Sequence, residues 1–398
     1  FAAPAHPIRF AQAFKGQFKQ AFSEEAFQAA QQAIKARPTY GLMRRTKLEI
    51  TDLGSFIDKR EEAFATTLAE KIPGIGGFVR GSQRAYVGLL NRFRADLFDD
   101  MLKNNPQLKN NPQFLKDTAN LINNMTGRGE VPTEILKRAA PFLNGVLFSP
   151  RLLFSRLRMI NPVYYLDPRI HPAVRKEAFK SLFAFTATGL SILSLAKLNG
   201  AEVGTNPKSA DFGKIKIGNT RYDIWGGFQQ YARFGTQFVT GELVSSTTGV
   251  KETVGEGYKP ITRADIGSRF FETKSSPVAS LVLDLLRGKD FLGKDLTPQN
   301  VIVERLLPLY LQDLKEAYQE WGAKGLAMSA PSIFGLSSST YKYELPQDTL
   351  GQLETQGASK EQVDVLTKAK LGEIQSQSKK EEETQAFKQE NEEFFTQT

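Results

Sequence analysis

The sequence predicts a mainly α fold: a multi-helix irregular bundle with one small β-hairpin near residues 214–224. Three observations predict it. Apolar residues recur at three- and four-residue spacing through most of the 398-residue chain, the period of a helix with one buried face. Pro and Gly fall at the ends of these periodic runs. Strand-like alternation is confined to Lys214–Ile217 and Thr220–Ile224, which flank Gly218-Asn219. Gly tolerates positive φ at no steric cost, so that dipeptide suits a hairpin turn.

The elements follow in order. Ile8 to Lys35 reads as one helix, with Phe10, Phe14, Phe18 and Phe22 at steps of four along one face. This stripe is expected to face the core or pair with another helix; a membrane-surface stripe is the alternative. Arg37-Pro38 ends the helix, because the residue before proline avoids the α region. Asp52 is a candidate cap for a second helix, with Phe56, Ala63, Phe64 and Leu68 on its apolar face. The run Pro73–Gly81 is expected to be a hinge. It is no dinucleotide fingerprint, since Val79 stands at the third glycine position, and no Walker lysine follows. Ser82 is the expected N-cap of a helix to about Lys103, with Arg84, Arg92, Arg94, Asp96 and Asp99 mostly off its buried face.

Two copies of Asn-Asn-Pro-Gln, at Asn104 and Asn110, each feed a proline into a first helical position. Phe114–Asn124 is a short helix broken by Thr126-Gly127-Arg128-Gly129, and Thr133 caps another. A mixed cationic segment, Arg151–Met159, leads through Pro162, Pro168 and Pro172 into the most apolar stretch. That stretch, Ser181–Ala196, is sixteen residues without a charge between Lys180 and Lys197. A spanning helix needs roughly 20 apolar residues, with a lower limit near 17. The stretch therefore reads as a buried core helix, with membrane insertion as the alternative. Phe228 to Phe238 returns to helical spacing, Val244–Tyr258 reads as a loop, and Ala264–Thr273, Val278–Arg287 and Val301–Trp321 read as helices. Ser359–Ser376 is a small helix or helix-pairing segment. From Lys379 the chain is expected to be an exposed helix, linker or disordered extension. The domain organisation expected is a helical segment over 1–72, a helical core domain over 81–343 and a polar, charged extension over 344–398.

Composition excludes several chemistries. There is no cysteine, so disulfides, thiolate nucleophiles and Cys-ligated metals are ruled out. The two histidines, His6 and His171, lie far apart and are expected to be structural or incidental. Adjacent carboxylates such as Asp99 and Asp100 point in different directions on a helix and make no local acid–base pair. Neither a catalytic step, a cofactor nor a metal is expected. The net charge of +9 is uneven. Lys137 to Lys180 holds nine Lys and Arg against two acids, a net of +7, whereas Lys360 to Thr398 holds six Lys against nine acids, a net of −3. Within the basic region Arg151, Arg156, Arg158, Arg169, Arg175 and Lys176 interleave with Phe148, Phe154, Tyr164 and Tyr165. Such a set grips phosphates and stacks on bases, or meets anionic lipid or acidic protein. The plain alternative is a solvated cationic face over core aromatics.

Three blocks carry a resemblance. One runs from Pro277-Val278-Ala279-Ser280 through Arg287-Gly288-Lys289-Asp290-Phe291-Leu292-Gly293-Lys294, Leu307-Pro308-Leu309-Tyr310 and Ser332-Ile333-Phe334-Gly335-Leu336 to Thr340-Tyr341. The second is Asn206–Gln230, and the third is Leu147-Phe148-Ser149-Pro150-Arg151 with Ser155-Arg156. Together, over roughly Gly81 to Tyr341, they resemble a large polyvalent protein-associated domain of tailed phages and mobile elements. The resemblance implies a structural internal virion or ejection protein that travels with the genome, with no established catalytic residues. It implies other virion proteins (portal, tail or further internal proteins) as partners and a homo-oligomer, with DNA and the host membrane as further contacts. The alternative is a non-catalytic docking segment of a giant virion-packaged enzyme such as an RNA polymerase.

Overall fold

The computed structural model describes residues 1–51, 76–130, 147, 149–218, 220–256, 260–275, 280, 283–286, 318, 322, 324, 337–340 and 360–390. The expected Asp52 cap and its helix, the Thr133 helix, the Val301–Trp321 helix apart from Tyr318, and half of Val278–Arg287 lie outside these residues, as does Phe148; the described residues 280 and 283–286 are helical, as expected. The fold is mainly α with small antiparallel β elements, as the sequence predicts. Two compact units divide the chain: Phe1–Ile192 with Phe271–Gln312, and Leu193–Phe270 with Asp313–Thr398.

The first unit opens with α1 (Pro7–Phe22), α2 (Glu24–Lys35) and α3 (Tyr40–Arg45). The single helix expected over Ile8–Lys35 is two. Ser23 adopts an extended backbone (φ −134°, ψ 122°), and its hydroxyl accepts from the Ala26 N–H at 3.0 Å. That is an N-cap, strengthened by Glu24 and Glu25 at the positive end of α2. The carbonyls of Gln20 and Ala21 at the end of α1 accept from the Arg84 guanidinium at 3.2 and 2.9 Å.

Arg84 belongs to α4 (Gly76–Asn104), which packs along α1 and α2. Ser82 lies inside this helix and does not begin it. Residues 76–81 of the expected hinge are helical, while 73–75 lie outside the described residues. The physical reason is close approach. A Cβ on Gly81 would sit 2.8 Å from the Ala21 carbonyl oxygen, and one on Gly88 would run into the Gln20 amide. Seven residues apart, these glycines share a face and make a groove for α1.

The acids of α4 tie the preceding helices to it. Asp100 accepts two bonds from Arg9, at 2.6 and 2.8 Å. Arg37 donates to Asp96 at 2.7 Å and to Asp99 at 2.8 Å, and the Thr39 hydroxyl donates to Asp99 at 2.5 Å. Asp96 and Arg94 were expected off the buried face, yet both are buried, Arg94 completely. The cause is a segment distant in sequence. The backbone of Lys47–Thr51 lies against α4 and the next helix and takes much of its hydrogen bonding from side chains. Asn91 accepts from the Thr51 N–H at 2.9 Å and donates to its carbonyl at 2.7 Å. Asn123 does the same for the Glu49 N–H (3.0 Å) and the Lys47 carbonyl (2.9 Å). Arg94 donates to the Glu49 carbonyl at 2.9 Å and to the Thr126 hydroxyl and carbonyl at 2.8 and 3.2 Å. Burial lowers the Arg94 pKa to about 10, with the Arg128 charge adding to the effect, so the guanidinium stays protonated at neutral pH.

Helix α5 (Pro112–Met125) starts as its sequence predicts: Asn111 accepts from the Phe114 N–H at 3.0 Å, and Pro112 occupies the first turn. Leu121 and Ile122 line one small cavity with Leu97 and Met101 of α4, and all four are buried. The break at Thr126–Gly129 is present, with Gly127 at φ +80°. Helix α6 (Pro150–Ile160) packs on α5, followed by α7 (Pro162–Leu166) and the long α8 (Pro172–Leu198), whose last residues fall in the second unit.

In the second unit, strands β1 (Glu202–Val203), β2 (Ile215–Ile217), β3 (Thr220–Asp223) and β6 (Ser337–Thr340) form an antiparallel sheet in the order β1-β2-β3-β6. The predicted hairpin is its β2–β3 pair, with Ile217 opposite Thr220. Asp223 then clamps a glycine turn, accepting from the Trp225 N–H at 2.8 Å and the Gly227 N–H at 2.9 Å. The Trp225 indole donates to the Gly213 carbonyl at 2.8 Å. Helix α9 (Gln229–Thr240) ends at Gly241, φ +72°. The loop expected over Val244–Tyr258 contains strand structure: β4 (Glu242–Val244) pairs with β5 (Lys251–Thr253), and residues 257–259 lie outside the described set. Lys208 and Lys251 both pair with Glu242, which fastens this hairpin to the 206–213 turn. Helix α10 (Arg263–Glu272) brings Phe270 against Tyr231 and Phe234 of α9. Helix α11 (Lys360–Glu390) carries the small helix expected at 359–376 onward through Lys379 without a break.

Candidate functional site

The basic segment and the apolar stretch that follows it are built by α6, α7 and α8. Ser155 is fully buried on α6, accepting from the Gly129 N–H at 2.7 Å and donating to the Arg151 carbonyl at 2.6 Å. This draws α6 onto the end of α5. Asn161 caps α7 by accepting from the Val163 N–H at 3.0 Å. Between α7 and α8, Asp167 accepts from the Arg169 backbone and guanidinium at 2.7–3.2 Å. Those bonds hold the Asp167 carboxyl down to about 2. His171 caps α8: its Nδ1 accepts from the Ala173 N–H at 3.3 Å, its own N–H donates to Asp117 at 2.8 Å, and its ring meets Phe114 edge-on. His6 bonds Glu177 on α8 at 2.7 Å. Both histidines therefore act on architecture.

The six candidate cations are not equivalent. Arg151 is turned inward, paired with Glu49 at 2.6 Å and donating to the Arg128 carbonyl at 2.9 Å. Arg158 is half-buried and reaches Asn124 at 3.4 Å, and Arg156 is also half-buried. Arg175 is half-buried, whereas Arg169 and Lys176 are exposed. Of the aromatics expected to interleave with them, Tyr165 is a core residue. Its hydroxyl donates to the Met159 carbonyl at 2.5 Å and its ring packs on Phe179. Burial pushes the Tyr164 and Tyr165 phenols far above their ordinary range.

The Phe stripe is graded along α1. Phe10 meets Phe93 of α4 edge-on at 5.6 Å, and Phe10, Phe14 and Phe18 form a chain of ring contacts. Phe22, at the far end, is 90 % exposed.

The buried core helix expected at Ser181–Ala196 is not buried. Helix α8 runs 27 residues and is long and apolar enough to cross a membrane, yet only 11 % of its most apolar 18-residue stretch is buried. Its base packs inward at Val174, Ala178 and Ser181, while Phe183, Leu190, Leu195 and Leu198 are exposed. The sequence carried the signal in its sixteen uncharged residues. What it lacked was any sign that the chain supplies them with so few neighbours. Among the described residues, no cluster of three or more His, Asp and Glu is arranged to hold a metal ion.

Comparison with protein-family models, with the curated proteins and with the solved structures finds no match to this chain.

Proposed function

We propose that this chain is a structural, non-enzymatic component of a tailed-phage particle, packaged inside the virion and delivered with the genome into the host envelope or cytoplasm. The observation that supports a partner-binding role is α8, an apolar helix largely open to solvent. Soluble monomers rarely keep apolar patches of that kind unless something covers them. The resemblance of Asn206–Gln230 and Pro277–Tyr341 to polyvalent protein-associated domains points to the particle as the setting. Freedom from cysteine leaves no covalent loop to resist extension through a narrow channel. In this reading the ion pairs and buried amides serve assembly. The partners are portal, tail or other internal virion proteins, further copies of the chain through the open end of the Phe stripe, and DNA or the host membrane.

Mass spectrometry of purified virions and of particles that have discharged their genome tests the proposal. The chain is expected in full particles and depleted from emptied ones. Absence from full particles, or complete retention in empty ones, overturns it.

A further inference from the structure

We infer that α8 is a lipid-embedding element, its body from Thr186 to Ala196 entering the acyl-chain region of a bilayer while its base stays docked on the first unit. The inference deepens the delivery role proposed above by naming the partner of this helix. The choice of lipid over a second protein rests on how the apolar surface is distributed. At 100° per residue, the exposed positions Phe179, Phe183, Leu190, Ile192, Leu195 and Leu198 spread over about 220° of the helix circumference. A helix-pairing seam is a narrow stripe backed by a polar face. Here the reverse face offers no charge either, because residues 181–196 contain none. A helix with no charge on any face, its only polar groups the small hydroxyls of Thr186, Thr188, Ser191 and Ser194, is suited to a core or to lipid, and this one is largely outside its own core.

Length and charge agree with that medium. The stretch from Thr186 to Ala196 rises about 16 Å at 1.5 Å per residue, within the roughly 30 Å of a hydrocarbon core. Lys180 and Lys197 bracket the uncharged residues 181–196, and lysine stems extend apolar reach while the ammonium stays at the interface. Arg175 and Lys176 add positive charge at the same end as Lys180, where anionic headgroups would lie. The base is held by the His6–Glu177 bond, the Tyr165–Phe179 contact and the stacking of Phe1 on Phe185 at 4.8 Å, all before Thr186. Insertion therefore leaves that attachment in place.

The experiment uses the full chain and vesicles of phosphatidylcholine with phosphatidylglycerol. Because the chain has no cysteine, Leu190→Cys and Lys176→Cys each carry a single environment-sensitive fluorophore. The label at 190 is expected to shift to the blue on adding vesicles and to be quenched best by lipids spin-labelled deep in the acyl chain. The label at 176 is expected to stay near water. Leu190→Lys, an exposed position, is expected to fold as the parent does by circular dichroism and to lose about 100-fold in vesicle partitioning. That factor is the roughly 2.5–3.5 kcal/mol cost of a charge at the centre of an inserted helix, at 1.4 kcal/mol per decade. A label at 190 that remains water-like, or is quenched only at headgroup depth, overturns the inference. So does vesicle-free self-association that Leu190→Lys dissolves, since a second copy would then be what covers α8. These outcomes do not depend on whether the chain is found in virions, so the two proposals fail separately.

Discussion

Replacing Arg94 with methionine tests whether the buried network of α4 holds the Lys47–Thr51 segment in place. Arg94 is fully buried and donates to three acceptors, the Glu49 carbonyl and the Thr126 hydroxyl and carbonyl. Bonds from a charged donor contribute roughly 1.5–3 kcal/mol each, so three amount to ~4.5–9 kcal/mol. Against this stands the cost of burying the charge. The displacement of the pKa from 12.5 to about 10 corresponds to roughly 3 kcal/mol. The balance favours arginine by ~1.5–6 kcal/mol, and methionine fills much of the volume without bonding either carbonyl. The assay is hydrogen exchange read by mass spectrometry over peptides from α4 and α5, with α9 of the second unit as internal reference. At the lower bound, amides near 91–98 and 121–126 exchange about 10-fold faster in Arg94→Met. Arg94→Lys is expected to be no better, because the ammonium keeps the burial cost and loses the guanidinium fork. Exchange in Arg94→Met within threefold of the parent would refute the reasoning.

Three further outcomes are expected. Gly81→Ala should lower the melting temperature although alanine favours a helix by about 1 kcal/mol, because its Cβ meets the Ala21 carbonyl 2.8 Å away; a rise would show that α1 does not lie in the glycine groove. The hydrogen bonds from Lys208 and then Lys251 hold the Glu242 pKa below its ordinary value. A depressed folded pKa gives stability that is present above the unfolded pKa and is lost as pH falls through the folded one. Glu242→Gln should therefore cost most near neutral pH and converge with the parent in acid, and a constant difference in melting temperature from pH 6 to pH 3 would contradict this. Phe22→Ser leaves the fold intact, since that ring is 90 % exposed. If the open end of the stripe joins copies of the chain, sedimentation equilibrium should show weaker self-association in the variant, and unchanged association would remove Phe22 from the interface.

Local signals in the sequence were sufficient where local chemistry decides the structure. Asn111-Pro112 marks the start of α5 through a cap and a pre-set φ, and Gly218 lies in the turn that joins β2 to β3. The break at Ser23 was readable as well, since a serine followed by Glu24 and Glu25 is a start signal, but the four-residue Phe spacing runs across it. Arg94 and Asn91 could not be read this way. What buries them is a backbone segment 40 to 45 residues earlier that takes its partners from side chains, and nothing in the spacing of α4 records that demand. The basic region shows the same limit. Arg151 and Arg169 are alike in sequence, but Glu49, remote in the chain, turns the first inward, while the second closes a two-residue turn on Asp167 and stays exposed.

Helix α8 shows why this limit matters for function. Hydropathy reports the medium a helix prefers, and the chain's own tertiary neighbours decide whether the protein supplies that medium. For Val174, Ala178 and Ser181 it does, through the packed base of the helix. For Leu190, Leu195 and Leu198 it does so only slightly, because each remains more than half exposed. Exposing a leucine that could be buried forfeits roughly 1.5–3 kcal/mol of hydrophobic stabilisation. An apolar surface on this scale is consistent with a protein whose fold is completed by another phase. The docked base and the uncharged body give that completion a place to start and a direction to follow.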